Sequence, residues 1–381
     1  MAKLTKRPDG RYSMQIFLGR DKNGKRKYKT VYGATQKEVQ QKADEVRVKL
    51  GKGIDVDAEK DTFSQWRDRW LQQKQLTVSD KTHQTLRTCT EPMNAELGLT
   101  ELPKIIPAQI QDVISDMYRK GYAKSTLTKA IQYTSQIFKL AIINRVTDFD
   151  PTIAVSIPQG APTVHRTALS EEQQRWIRET PHRAQTAAMI MLYAGLRRGE
   201  LIPLQWSDID LDERTIDINK SVTFPHGKPI IKIGAKTDAG TRIVSIPDIL
   251  VEYLSSQPDQ NGLVVPSAKG NLMSSEAWQE MWHTYMLDLN IKYGYNGEVS
   301  KFSHGIRTKI ETFTAHQLRH TYASLLYLAG VDVMTAKEQL GHADVKTTLG
   351  IYTHLDAKYK RRALNKLNDY LNPDNSGQGH G

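Results

Sequence analysis

Apolar positions recur along this chain with two different periods, and the change of period divides it. Over residues 11–19 apolar and polar residues alternate, with Tyr12, Met14, Ile16 and Leu18 on one face. That is the pattern of a half-buried strand. Asp21-Lys22-Asn23-Gly24 follows as a turn, Asn-Gly being its strongest element. Residues 25–32 read as the next strand, with Lys25, Lys27 and Lys29 on one face and Tyr28 between them. Residues 35–50 have helical spacing and stop at Gly51 and Gly53. Residues 1–55 thus predict a small three-stranded sheet with one helix behind it.

After a linker-like stretch at 54–61 the period becomes that of helices. Trp66, Trp70 and Leu71 fall on one face behind a start signal at Thr62, and further helices are expected over 79–97, 107–120 and 124–143. The Pro-rich, small-residue stretch 150–162 reads as an inter-domain linker. Beyond it the pattern is mixed. Helices are expected after the cap Ser170-Glu171-Glu172-Gln173, over 184–193 and over 198–205. Strands of a small sheet are expected over 215–223, 230–233 and 241–246, and helices dominate after Asp248. The whole is a multidomain α+β chain divided as 1–55, 61–150 and 165–381. The apolar run 187–196 is too short to span a bilayer and reads as a buried helix.

Charge sharpens this division. The chain of 381 residues carries a formal +11, and residues 1–60 supply +8 of it, from 16 Lys+Arg against 8 Asp+Glu. A polyanionic partner, nucleic acid before a membrane surface, fits that asymmetry. The basic faces of the N-terminal strands could lie in a DNA groove, with Lys25, Lys27 and Lys29 as contacts; the plain alternative is a solvated hairpin. With Cys89 the sole cysteine there is no intrachain disulfide, and the first residues lack the apolar core of a signal peptide. A reducing, cytoplasmic setting with access to DNA is expected.

Four stretches carry candidate chemistry, each weak alone. In Ala194-Gly195-Leu196-Arg197-Arg198-Gly199-Glu200-Leu201 an apolar helix runs into an arginine pair, a good phosphate site. The alternative is a surface arginine paired with Glu200. In Lys236-Thr237-Asp238-Ala239-Gly240-Thr241-Arg242 a lysine sits on a turn from which it could donate a proton, or simply be solvated. In His316-Gln317-Leu318-Arg319-His320 a proton carrier and a guanidinium share one helix face. A metal site from His316 and His320 lacks the glutamate after the first histidine, where Gln317 stands, and has no clear third ligand. Finally Leu340-Gly341-His342-Ala343-Asp344 precedes Tyr352 by one predicted helix.

In order and spacing these stretches resemble the tyrosine recombinase (phage integrase) family, whose set is Arg, Lys, His-x-x-Arg, His or Trp, and Tyr. The matching positions are Arg197, Lys236, His316, Arg319, His342 and Tyr352, within AGLRRGEL, HQLRHTYASLL and LGHADVKTTLGIYTHL. Gln317 stands where the family often has Asp, and Lys228 and Lys232 lie near Lys236. The resemblance covers roughly residues 165–370. It implies an arm-type DNA-binding domain at 1–55, a helical core-site domain at 61–150, and a catalytic domain with a tail helix over 356–371 that docks on a neighbour. It implies integration and excision of a mobile element, a prophage or a conjugative transposon, by a homotetramer on double-stranded DNA. An excision factor and a DNA-bending host protein are the accessory partners it suggests. No cofactor or metal is called for, since the phosphodiester energy is kept in a covalent link. By the same resemblance Tyr352 is the nucleophile, Arg197 and Arg319 hold non-bridging oxygens, His342 adds a hydrogen bond, His316 is the base and Lys236 the acid. The alternatives are a chromosome-dimer-resolving recombinase, a type IB topoisomerase-like enzyme and a non-catalytic DNA-binding regulator.

Overall fold

The computed structural model describes residues 4–20, 24–53, 60–163, 167–234, 241–258, 260–300 and 305–352, apart from the side chains of His226, Ile351 and Tyr352. Asp21-Lys22-Asn23, Lys236, most of the 54–61 stretch and the segment 353–381, with its expected tail helix, lie outside the described residues. The chain divides into two compact units, Met1–Val164 and His165–Gly381.

The first unit opens with an antiparallel sheet in the order β1 (Thr5–Lys6), β2 (Tyr12–Arg20), β3 (Arg26–Gly33). Alternation buries Met14 and Ile16 of β2 with Val31 of β3, and α1 (Gln36–Gly51) closes this small core with Val39, Ala43 and Val46. Register then decides where the lysines lie. Ile16 pairs with Lys29, and cross-strand partners share a face. Lys29, and by alternation Lys27 and Lys25, therefore belong to the side of the sheet that α1 backs, although Lys25 and Lys27 stay exposed. The opposite parity carries Arg26, Tyr28 and Thr30. There Phe17 and Tyr28 meet edge to face at 5.6 Å, and both are about half exposed, at 51% and 47%.

Four helices follow: α2 (Phe63–Gln75), α3 (Asp80–Leu97), α4 (Pro107–Arg119) and α5 (Lys124–Ile143). Local residues set their starts. Thr62 and Gln65 form a capping box on α2, Ser79 caps α3, and Pro107 takes the first position of α4. Trp66, Trp70 and Leu71 turn inward onto a core with Met93, Ile110 and Phe138. The stretch 150–162 packs onto this unit rather than running free. Asp150 accepts from the Thr152 amide at 3.0 Å, and Gln111 and Ser156 exchange hydrogen bonds of 2.9 and 3.1 Å. The reason is its apolar content: Val155, Ile157 and Ala161 all find that core.

In the second unit α6 (Glu171–Glu179) starts at a Ser170–Gln173 capping box, and α7 (Gln185–Tyr193) has almost every side chain buried. α8 (Arg198–Leu201) is shorter than the sequence predicts. Pro203 has no amide to donate back to the preceding turn, so the hydrogen-bond ladder stops there. The expected single sheet is two: β4 (Ile209–Asp210), β5 (Thr215–Ile218) and β8 (Arg242–Ser245) in one, β6 (Lys220–Thr223) and β7 (Ile230–Ile233) in the other. The stretch 215–223 is shared between them because β7 and β8 have four residues each and neither can span it. Helices α9 (Asp248–Ser255), α10 (Ser275–Leu289), α11 (Ala315–Leu328), α12 (Val333–Leu340) and α13 (Val345–Tyr352) complete the described chain. α11 packs on α7, α12 on α11 and β8, and α13 on α11 and α12. That packing brings three of the four chemical stretches together, along with Arg242, the last residue of the remaining one.

Candidate active site

The site is built around one buried carboxylate. Arg197 caps α8, and its amide donates to Glu200 Oε2 at 2.9 Å while its guanidinium reaches Glu200 Oε1 at 2.6 Å. Arg242, at the start of β8, donates to both Glu200 oxygens, at 3.2 and 3.0 Å. Arg319, on the second turn of α11, places Nη1 3.9 Å from Glu200 Oε2. Glu200 is 7% exposed. Burial alone would raise its pKa, but the hydrogen bond and charge of Arg242, with Arg197, outweigh that and hold it at about 2. At neutral pH three guanidiniums therefore face one carboxylate, and the cluster keeps two surplus positive charges.

The same arginines grip the C-terminal end of α12. Arg242 Nε donates to Gln339 O at 3.0 Å, Arg319 Nη2 to Leu340 O, and Arg197 Nη2 to Gly341 O at 2.7 Å. Final carbonyls of a helix lack intrahelical partners and form its negative end, so cations are natural ligands for them. The helix stops because Gly341 turns left-handed at φ 60. The amides of Gly341 and His342 then bond back to Glu338 O and Lys337 O, the Schellman pattern. This turn fixes His342 directly beside the guanidiniums.

His342 is 9% exposed, and its Nδ1 lies 2.9 Å from Thr348 Oγ1 on α13. Burial, followed by the charges of Arg319, Arg197 and Arg242, lowers its pKa to about 4. It is neutral at pH 7. Burial and neighbouring cations also push Arg319 down, to about 9, which leaves it charged. Arg242 and Arg319 are buried, whereas the Arg197 side chain is 40% exposed and is the guanidinium open to solvent.

Gly195 shows how tightly the arginines are seated. Its carbonyl accepts from Arg319 Nη1 at 2.6 Å, its φ is +67, and a Cβ there would lie 2.3 Å from Tyr322 Cδ1. Tyr322 is thus a packing residue, and burial raises its hydroxyl to about 12. His316 lies exposed on the first turn of α11, three residues before Arg319. Gln317, the departure from the family pattern, accepts from the Thr314 amide at 2.9 Å and so caps that helix. Tyr352 closes α13 one turn after Thr348. Lys236 is outside the described residues.

Of the two sequence readings of Arg197, the structure shows the pairing with Glu200, with that carboxylate buried and not on the surface. Sequence reasoning missed Arg242 and took Glu200 only as a surface partner of Arg197. A signal for Arg242 does exist: it shares the parity of buried Val244 on β8, and a charge on a buried parity demands a partner. Among the described residues no group of three or more His, Cys, Asp or Glu could hold a metal ion, and no helix is long and apolar enough to cross a membrane.

The sequence profile of the phage integrase family matches residues 167–359, the stretch that holds all of these groups. This chain belongs to the phage integrase family. It is a tyrosine recombinase, an enzyme that cleaves and rejoins DNA. Among relatives, a XerC-like tyrosine recombinase of Caldanaerobacter subterraneus is 26% identical over 94% of this chain and 96% of its own length. The ICEBs1 integrase of Bacillus subtilis is 25% identical over 71% of this chain and 73% of its own. Among solved structures, the Tn1549 transposon integrase in complex with a circular intermediate DNA has the same fold, with a TM-score of 0.65 at 18% identity. The match covers 80% of this chain and 99% of that one. A lambda integrase dimer bound to a COC′ core site gives a TM-score of 0.55 at 18% identity over 91% of this chain and 93% of that one.

Proposed function

We propose that this recombinase integrates and excises a mobile element by forming a 3′-phosphotyrosyl link at Tyr352. The observation that carries the reading is the surplus of two positive charges around Glu200, held against the helix pair that ends in Tyr352. Attack of a phenolic oxygen on a phosphodiester passes through a five-coordinate state with added negative charge, and fixed cations aimed at that charge are the largest source of rate. Arg197, the exposed guanidinium, meets one non-bridging oxygen. Arg319 acts from its remaining N–H groups, and neutral His342 donates a hydrogen bond. Free tyrosine titrates near pH 10, so Tyr352 needs a base, which is His316. Lys236 protonates the departing 5′-oxygen. A 5′-hydroxyl from the partner strand then attacks the phosphotyrosine, breaking that bond and resealing DNA, so no nucleotide or metal is consumed.

The helical part of the first unit takes the core site and the N-terminal sheet an arm site. The open sheet face is the better surface for the arm, because it joins the aromatic pair Phe17 and Tyr28 to Arg26, with Lys25, Lys27 and Lys29 adding charge from the other parity. Four copies act on two sites, as in the lambda integrase tetramer bound to a Holliday junction. An excision factor and a DNA-bending host protein set direction. A mobile-element role is favoured over chromosome-dimer resolution because of the basic N-terminal sheet and the likeness to the ICEBs1 integrase.

The test is a nicked duplex carrying the element's end, incubated in EDTA, with the covalent adduct digested and its peptide sequenced. The expected adduct sits on Tyr352 and is absent in Tyr352→Phe. No adduct with the wild type, or an adduct that survives in Tyr352→Phe, contradicts the assignment.

A further inference from the structure

His342 faces the guanidinium cluster, and a neutral imidazole can present either a donor or an acceptor there, depending on which nitrogen holds its proton. The choice is settled by what lies behind the ring. Nδ1 is 2.9 Å from Thr348 Oγ1, and this contact can be made in two ways. Either Nδ1–H donates to the hydroxyl, or the hydroxyl donates to a bare Nδ1.

The hydroxyl's own hydrogen decides between them. Thr348 is fully buried, and among the described residues His342 Nδ1 is the hydrogen-bond partner of its Oγ1, with no second one. If Nδ1–H were the donor, the Thr348 hydrogen would be left buried with no acceptor among the described residues, an arrangement that folded proteins avoid. If Thr348 donates, both groups are satisfied and the imidazole proton sits on Nε2. Nε2 makes no hydrogen bond to any described residue and is not among the sealed, unpartnered polar atoms.

We infer that Thr348 is a positioning residue: its hydroxyl donates to Nδ1 of His342 and so locks that histidine as the Nε2–H tautomer, a neutral donor aimed at a phosphate oxygen. The same bond ties His342, at the end of α12, to the helix that bears Tyr352 one turn later. Donor and nucleophile are thereby set by one helix. The charged groups around the ring agree with this role. Burial, with the charges of Arg319, Arg197 and Arg242, opposes a second proton on the ring and outweighs Glu200, so the imidazole stays neutral. His342 is then neither the base nor the acid of the reaction. This inference rests on the reading of the site as a phosphodiester site, but its central claim, the tautomer, can be measured without DNA.

The experiment has two arms on the full-length protein. In the first, ¹⁵N spectra of histidine-labelled wild type, assigned with His342→Gln, are expected to show His342 with a protonated Nε2 and a bare Nδ1 at neutral pH. Thr348→Ser keeps that pattern, and Thr348→Val, equal in shape but without the hydroxyl, gives a mixture of both tautomers. In the second, single-turnover cleavage of the nicked duplex is expected to fall about 10–100-fold in Thr348→Val, a range typical of losing a group that orients a reactive histidine. DNA affinity stays unchanged, and Thr348→Ser restores the rate. A wild-type spectrum with the proton on Nδ1 overturns the inference whatever the folding of the variants. Full cleavage by Thr348→Val with an unchanged spectrum overturns it too. Absence of any wild-type adduct counts against the reading of the site instead, and the spectra still decide the tautomer.

Discussion

Replacing Glu200 by glutamine tests the physical core of the site. The change keeps shape and one acceptor oxygen but leaves Arg197, Arg242 and Arg319 without the carboxylate they share. Two routes give the magnitude. Removing one partner of a buried ion pair costs about 3–5 kcal/mol. Independently, the neighbours that move Glu200 from 4.5 to about 2 stabilise its charged form by ~3 kcal/mol. For a unit of this size each kcal/mol lowers the melting temperature by about 2–4 °C, so calorimetry of the full chain is expected to show the catalytic transition ~10 °C lower. The pH dependence supplies a control with a definite sign. A carboxyl whose native pKa lies below its unfolded one stabilises the fold above the unfolded value, and that contribution is lost as pH falls from 4.5 towards 2. Wild type shows that loss and Glu200→Gln does not. Adding Arg242→Met to Glu200→Gln removes a buried charge along with its counterion, so the double variant is expected to be more stable than the sum of the two singles by at least ~1 kcal/mol. A Glu200→Gln melting temperature within about 2 °C of wild type, together with simple additivity, would refute the idea of a carboxylate hub.

Three further outcomes follow from the geometry. His342 titrates at about 4 in the native state against an ordinary 6.5, so the unfolded chain binds its proton first and stability falls as pH drops from about 6.5 to 4, by up to ~3 kcal/mol; His342→Gln flattens that limb in denaturant titrations, and equal slopes for both proteins would speak against the buried neutral ring. Gly195→Ala forces a Cβ to 2.3 Å from Tyr322 Cδ1 at a φ of +67, which is expected to cost more than ~2 kcal/mol and to abolish adduct formation; a wild-type melting curve would show that the arginine seat is looser than described. Tyr28→Ala on the exposed sheet face leaves melting unchanged within about 0.5 kcal/mol and core-site cleavage intact but weakens binding to arm DNA in a mobility shift; unaltered arm affinity would move the contact to the lysines of the other parity.

Local signals carry far in this chain. Thr62 with Gln65, Ser79, Pro107 and Ser170 with Gln173 start helices where the sequence places them, because capping is an interaction between residues three apart. The two-residue period of β2 likewise identifies Met14 and Ile16 as core. Long-range pairing is less legible. Alternation puts Lys25, Lys27 and Lys29 on one face, but which face depends on Ile16 standing opposite Lys29, a fact of register and not of composition. Splitting of 215–223 between two sheets reflects partner strands too short to cover it. In the site, the residues that resemble the family's set are readable from order and spacing. The hub is not, because Glu200, Arg242 and Thr348 matter through what they touch: a carboxylate shared by three arginines, a charge on a buried parity, and a hydroxyl with one partner.

In the proposed mechanism surplus positive charge at the Glu200 cluster meets negative charge developing on the scissile phosphate, and changing the charge of the substrate isolates that pairing. Single-turnover cleavage is measured for wild type and Arg197→Ala on a nicked duplex with an ordinary scissile phosphodiester, and on one whose scissile group is a neutral methylphosphonate. Loss of one preorganised donor typically costs about 10²–10³ in rate, and that loss is expected on the phosphodiester. On the methylphosphonate, where one negative oxygen is gone, the same variant is expected to lose less than about tenfold. Equal losses on both substrates, or none on the phosphodiester, would mean that Arg197 does not meet the charge of the scissile phosphate.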